Sequence, residues 1–160
     1  MQHIIKFILF SFLSLALSVS STSAFAAETD SADAKKDELK LYTAAKEGRL
    51  SSVKAMLASG INVNAKNQSG RTALMSAAYY GNKSIVQELV VEGVDVNFAD
   101  EQGKTALMLA VANQKLEVVK VLLQAGADVT LADKKEKTAG NIAEKTKNKQ
   151  LIKLLESASD

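Results

Sequence analysis

Gly70-Arg-Thr-Ala-Leu-Met-Ser-Ala-Ala-Tyr-Tyr-Gly81 carries most of what decides this fold. Thr72 offers a hydroxyl that can accept from the free N–H groups of a helix start, and Gly81 suits the left-handed conformation that ends one. Between them Leu74, Ala77 and Ala78 recur at helical spacing, and the small side chains let a neighbouring helix come close. The next run, Ser84 to Val91, predicts a second helix burying Ile85, Val86, Leu89 and Val90. Gly93 stops it, and the chain from Val94 to Gly103 turns outward as an extended, hairpin-like finger. A helix pair this short cannot bury its apolar faces alone, so it must stack on copies of itself.

The copies are present. Gly60-Ile-Asn-Val-Asn64, Gly93-Val-Asp-Val-Asn97 and Gly126-Ala-Asp-Val-Thr130 begin 33 residues apart. The same offset carries Ala44 onto Ala77, Ala110 and Ala143, and Leu41 onto Leu74, Leu107 and Gly140. Val53-Lys-Ala-Met-Leu57 falls on Val86-Gln-Glu-Leu-Val90, Val119-Lys-Val-Leu-Leu123 and Ile152-Lys-Leu-Leu-Glu156. No insertion or deletion interrupts the register. The prediction is an all-α repeat solenoid of four stacked units, over about 37–69, 70–102, 103–135 and 136–158, with the two end units as caps.

The pattern Gly-x-Thr-Ala-Leu-Met-x-Ala-Ala-x-x-Gly, then a Val-x-x-Leu helix and Gly-x-Asp-Val-Asn, resembles the ankyrin repeat. The resemblance covers about Asp37 to Glu156 and is strongest in the second and third units. Two departures stand out. The family's Thr-Pro-Leu-His is replaced by Thr72-Ala-Leu-Met75 and Thr105-Ala-Leu-Met108, and in the fourth unit it degenerates to Thr138-Ala-Gly-Asn141. Loss of the histidine removes a side-chain hydrogen bond to the finger, and loss of the proline removes a residue favoured at a helix start. The expected result is a modest loss of stability within the same fold.

The first 26 residues read as an address. After a single positive charge at Lys6, Phe7 to Val19 form an apolar run of 13 residues, and Ala24-Phe25-Ala26 fits the small-x-small pattern of a signal-peptidase site. The expectation is a cleaved signal peptide (1–26), a short polar segment (27–36) and a repeat domain (37–158), exported to a bacterial periplasm or beyond. An uncleaved anchor is the alternative, but a bilayer core requires about 20 apolar residues. In the first unit, Ser31 to Lys36 extend the first helix backward in this reading.

Composition narrows the chemistry. Hydrophobic residues make up 47% of the 160 positions and charged residues 24%, as in a globular domain. Cysteine and proline are absent, and the sole histidine, His3, lies in the leader. Thiol and histidine catalysis are therefore closed to the exported chain. Asp95, Asp100 and Glu101 lack the spacing of a calcium loop, and no phosphate-cradling glycine loop occurs. No catalytic residue, cofactor or metal ligand is assigned, and integral membrane insertion of the mature chain is not expected. A formal net charge of +2 gives little attraction to nucleic acid. The lysines of the fourth unit (Lys134, Lys135, Lys137, Lys145, Lys147, Lys149, Lys153) mix with Asp133, Glu136 and Glu144 and have no interleaved aromatics. They suit either a solvated cap or a docking patch for an acidic partner.

What the resemblance implies is a monomeric, non-enzymatic module that binds another protein along a concave face of finger tips and first helices. Its variable positions fall on Lys46 and Glu47 in the first unit. In the second they are Lys66, Gln68, Ser69, Arg71, Tyr79 and Tyr80; in the third, Ala99, Glu101, Gln102, Lys104, Ala112 and Asn113. Tyr79 and Tyr80 stand out, because interface energy concentrates in tyrosine, tryptophan and arginine. Alternatively one ring packs over Ala112. Phe98 reads as inter-repeat packing. The functional expectation is an adaptor, stabiliser or regulator of a periplasmic protein. A periplasmic immunity protein against a toxin is the alternative, with a secreted effector behind both.

Overall fold

The computed structural model describes Lys36 and residues 39–158. The leader, its cleavage point and the polar segment before Lys36 lie outside the described residues; Lys36 itself is helical. Among the described residues eight helices follow one another in pairs. They are α1 (39–46), α2 (Leu50–Ala58), α3 (Ala73–Tyr80), α4 (Lys83–Val91), α5 (Ala106–Ala112), α6 (Leu116–Gln124), α7 (Ala139–Thr146) and α8 (Lys149–Glu156). The solenoid predicted from the 33-residue register is the fold.

The first helices of the second, third and fourth units start in the same way. Thr72, Thr105 and Thr138 hold an extended backbone, and their hydroxyls accept from the N–H groups of Met75, Met108 and Asn141. The same threonines close the preceding finger through antiparallel bridges with Lys66, Ala99 and Ala132. One residue type thus ends the hairpin and begins the helix. At the far end of α3, Gly81 takes the left-handed conformation at φ 87°. In the third and fourth units Gln114 and Lys147 hold that conformation despite carrying side chains.

Stacking forms two layers. α3 packs on α5 and α5 on α7; behind them α4 packs on α6 and α6 on α8. Leu74, Ala77, Leu107, Ala110 and Ala143 are buried in the first layer, and Val86, Leu89, Val119, Leu122 and Leu151 beneath it. Together they make one continuous core. Val90, expected in the core, is only half-buried: it flanks Leu89 at the edge of the helical stripe. Met75 and Met108 fill buried space at the histidine positions. The fourth unit is less degenerate than its sequence suggests, because Asn141 Oδ1 accepts from the Thr138 N–H at 3.1 Å and completes a reciprocal capping box.

Polar ladders tie the units together. Asn64 Oδ1 accepts from the Asp95 N–H, and Asn97 Oδ1 from the Asp128 N–H, each at 2.8 Å. The Asn82 side chain donates to the carbonyl of Ala45 at 2.7 Å. On the second-helix layer Lys54 pairs with Glu88 and Lys83 with Glu117, both at 3.1 Å across a repeat boundary. These exposed pairs add little individually; the buried apolar faces dominate.

Candidate protein-binding groove

The finger tips are built around one side chain per unit. Asn67 Oδ1 accepts from the N–H groups of Ser69 and Arg71, Asp100 Oδ1 from those of Gln102 and Lys104, and Asp133 Oδ1 from those of Lys135 and Lys137. The three residues lie 33 apart. Each turn is therefore held by its own anchor, which leaves the flanking side chains free to vary. Asp100 also joins two fingers, since its Oδ2 accepts from Arg71 Nε of the preceding one at 3.3 Å, with the carboxylate side chain only 2% exposed.

At Asp133 the residue in the Arg71 position of the preceding finger is Lys104, which acts on the carboxylate through its charge. The N–H of Lys137 lowers the Asp133 pKa most, followed by the N–H of Lys135 and the charges of Lys137 and Lys104. A carboxylate lowered in the folded state stabilises it above the unfolded pKa, near 4. That contribution disappears as pH falls through the folded value. Asp133→Asn keeps an oxygen for the turn, as Asn67 does, but removes the titration. The acid limb of a melting-temperature profile from neutral pH to about pH 3 should flatten, because the variant lacks at neutral pH the contribution that the ionised carboxylate makes, so its neutral melting temperature falls while the value near pH 3 changes little. An unchanged acid limb would remove Asp133 from the account; Asp128 and Glu117, also lowered, supply the remainder.

Two cavities line the face between fingers and first helices. The first, about 260 Å³, gathers Tyr42, Arg71, Met75, Ser76, Tyr79, Tyr80 and Leu109. The second, about 440 Å³, has Met108, Leu109, Ala112 and Ile142 among its walls, with Gln102 and five lysines around them. Leu109 belongs to both, so they form one groove.

The expected contact residues divide on this groove. Arg71, Tyr79 and Tyr80 meet in the first cavity; Gln102, Lys104 and Ala112 meet in the second. Tyr79 is 41% exposed and Tyr80 45%, and their rings meet edge to face at 5.0 Å. Lys46 lies 5.8 Å from the Tyr80 ring centre, on the first-repeat side. The two rings rest on each other, and Ala112 is exposed.

Other expected residues lie outside both cavities. Gln68, Ser69, Glu101 and Ala99 are exposed on the fingers. Lys66 sits 4.0 Å over the Phe98 ring, bracing adjacent fingers, and Phe98 packs against the core as expected. Glu47 pairs with Arg49 at 2.8 Å. Asn113 donates one N–H to the Leu109 carbonyl at 2.8 Å, at the end of α5.

Tyr42 and Ser76 were not expected, whereas Lys137 and Lys145 belong to the lysines read as either a solvated cap or a docking patch. The 33-residue offset also places them in the groove register, since Lys137 follows Arg71 and Lys104, and Lys145 follows Tyr79 and Ala112. Ser76 is different: its hydroxyl is buried without a hydrogen-bond partner, which no spacing reveals. Among the described residues no group of three His, Cys, Asp or Glu side chains is placed to hold a metal, and no helix is long and apolar enough to cross a membrane.

A family model for ankyrin repeats, in three copies, matches residues 41–133. The chain belongs to the ankyrin repeat family. Ankyrin repeats are a protein-binding module, typically without enzymatic activity. The fourth ankyrin unit, 136–158, lies beyond the matched region, yet α7 and α8 keep the threonine cap and the stacking of the others. No curated protein matches the ankyrin chain.

Proposed function

We propose that this ankyrin protein is a non-enzymatic binding module of the bacterial envelope, acting as an adaptor, stabiliser or regulator of a periplasmic protein. The observation that carries the reading is the groove centred on Tyr79 and Tyr80. Two large rings stay exposed on a helix whose residues 73–78 are all buried, beside Arg71 and a cavity. Exposed tyrosines held by neighbouring packing present contact area at low entropic cost, and such residues dominate interface energy. Placement in the envelope rests on the leader pattern at residues 1–26.

A photoreactive residue at position 79, used in intact cells and followed by mass spectrometry, should capture one dominant periplasmic protein. Tyr79→Ala with Tyr80→Ala should weaken that association by at least about thirtyfold, corresponding to a hot spot of ~2 kcal/mol. Helical circular dichroism should stay intact, because both side chains are surface-exposed. Full-strength association of the double variant would refute the groove assignment.

A further inference from the structure

The fourth unit leaves a charge pattern unfinished. In the second unit Arg71 reaches the turn anchor of the next finger, Asp100, at 3.3 Å. In the third, Lys104 lies close enough to the next anchor, Asp133, for its charge to act there. Lys137 holds the same register position in the fourth unit, but no anchor stacks above it among the described residues. It lines the same cavity as Lys145 of α7, and that neighbouring ammonium pushes the Lys137 pKa below the ordinary lysine value. Asp133 draws on Lys137, but its Oδ1 is already engaged by two turn N–H groups. Neither lysine makes an ion pair among the described residues.

Beneath these ammonium groups the floor of the 440 Å³ cavity is aliphatic: Met108, Leu109 and Ile142. Asp133 is the only carboxylate lining it, against five lysines. Cations over an apolar floor favour a ligand with both characters. The floor contains no aromatic side chain, so bases would find nothing to stack on.

The geometry points to a docking site for an acidic, aliphatic peptide segment of the partner protein. Its carboxylate takes, between Lys137 and Lys145, the place that Asp100 takes for Arg71, while a neighbouring aliphatic side chain enters the floor at Met108 and Ile142. The inference deepens the groove-binding reading and rests on it. It assigns the third and fourth units an electrostatic role, with the tyrosines of the second unit supplying apolar contact. Charges at such a rim fix register and partner choice.

The test uses the purified protein with three fluorescent probes: the peptide Asp-Leu-Glu-Leu-Asp-Leu, its amide counterpart Asn-Leu-Gln-Leu-Asn-Leu, and oligothymidine. The acidic peptide should bind, shift the amide resonances of Ala112, Ile142 and Lys145, and weaken with added salt. Lys137→Gln with Lys145→Gln should reduce its affinity by about tenfold without changing the melting curve. The inference is overturned if the acidic peptide fails to bind, if the amide peptide binds equally well, if the shifts fall elsewhere, or if the variant binds unchanged. Preference for oligothymidine would likewise replace it with a nucleic-acid site. Cross-linking separates this from the broader reading. Capture from position 79 with no peptide binding here sinks only the docking site, whereas silence from both 79 and 112 sinks the groove itself.

Discussion

Gly103→Ala should destabilise the protein by about 2–4 kcal/mol, the combined scale of left-handed strain and of a forced backbone shift. Gly103 holds φ +75°, and a Cβ built there would lie 3.0 Å from the Lys134 nitrogen, 3.1 Å from Asp133 Cα and 3.2 Å from Asp133 carbonyl carbon. All three are main-chain atoms of the next finger, and that finger is held to this one by the Lys134 N–H donating to the Gln102 carbonyl at 3.0 Å. A methyl group therefore cannot be accommodated by rotating a side chain; two fingers must part. Gly93→Ala separates the contributions. It has φ +77° but nothing within 4 Å of its Cβ, so only the dihedral cost of about 1–2 kcal/mol applies. Urea unfolding monitored by circular dichroism measures both. Equal losses at the two positions would mean that finger stacking contributes nothing beyond backbone strain. The damage at Gly103 should also reach the docking site, because Lys104 and Asp133 line its cavity.

Asp100→Ala is expected to cost about 2–3 kcal/mol, because it removes a charged acceptor that is nearly inaccessible to water. Three donors lose their partner together: the Gln102 and Lys104 N–H groups at 2.9 and 3.0 Å, and Arg71 Nε at 3.3 Å. The turn and the junction between the fingers of Asn67 and Asp100 loosen in one step. Asp100→Asn discriminates between the two. An amide oxygen can hold the turn, as Asn67 does in the preceding unit, so only the charge facing Arg71 is lost and about 1 kcal/mol is expected. If the asparagine variant is as unstable as the alanine variant, the bridge to Arg71 and not the turn carries the effect.

The stacked fold was legible because it is written in positions with few chemical solutions. Glycines after each second helix, alanines between layers and threonines at helix starts recur at one offset, and each has a local physical reason. The anchors were harder to read. Asn67, Asp100 and Asp133 fall in the same register, but as residue types they look like ordinary surface polarity; only the hydrogen bonds reveal that each organises a turn. Asn141 looked like decay of a motif because it was measured against the residue it replaces, not against the Thr138 N–H that it caps. Of the variable positions, Tyr79, Tyr80 and Arg71 line one of the two cavities, while Asn113 lines neither and donates to its own helix. Lys137 and Lys145 were legible only as members of a lysine-rich cap or docking patch; that they line one cavity is a tertiary fact.

The position occupied by Gly70 and Gly103 is Glu136 in the fourth unit, still left-handed at φ 58°. In the two earlier units a finger covers that position closely enough for a Cβ to meet its backbone within 3.2 Å; above Glu136 no finger is present among the described residues. This asymmetry governs how such an array can change length. A 33-residue unit duplicated between residues 103 and 135 brings its own glycine to each new junction. A unit laid over the fourth would press its finger onto a glutamate side chain. Growth of the array by tandem duplication is thus open from within and obstructed at that edge, and a single codon there sets which of the two a lineage can use.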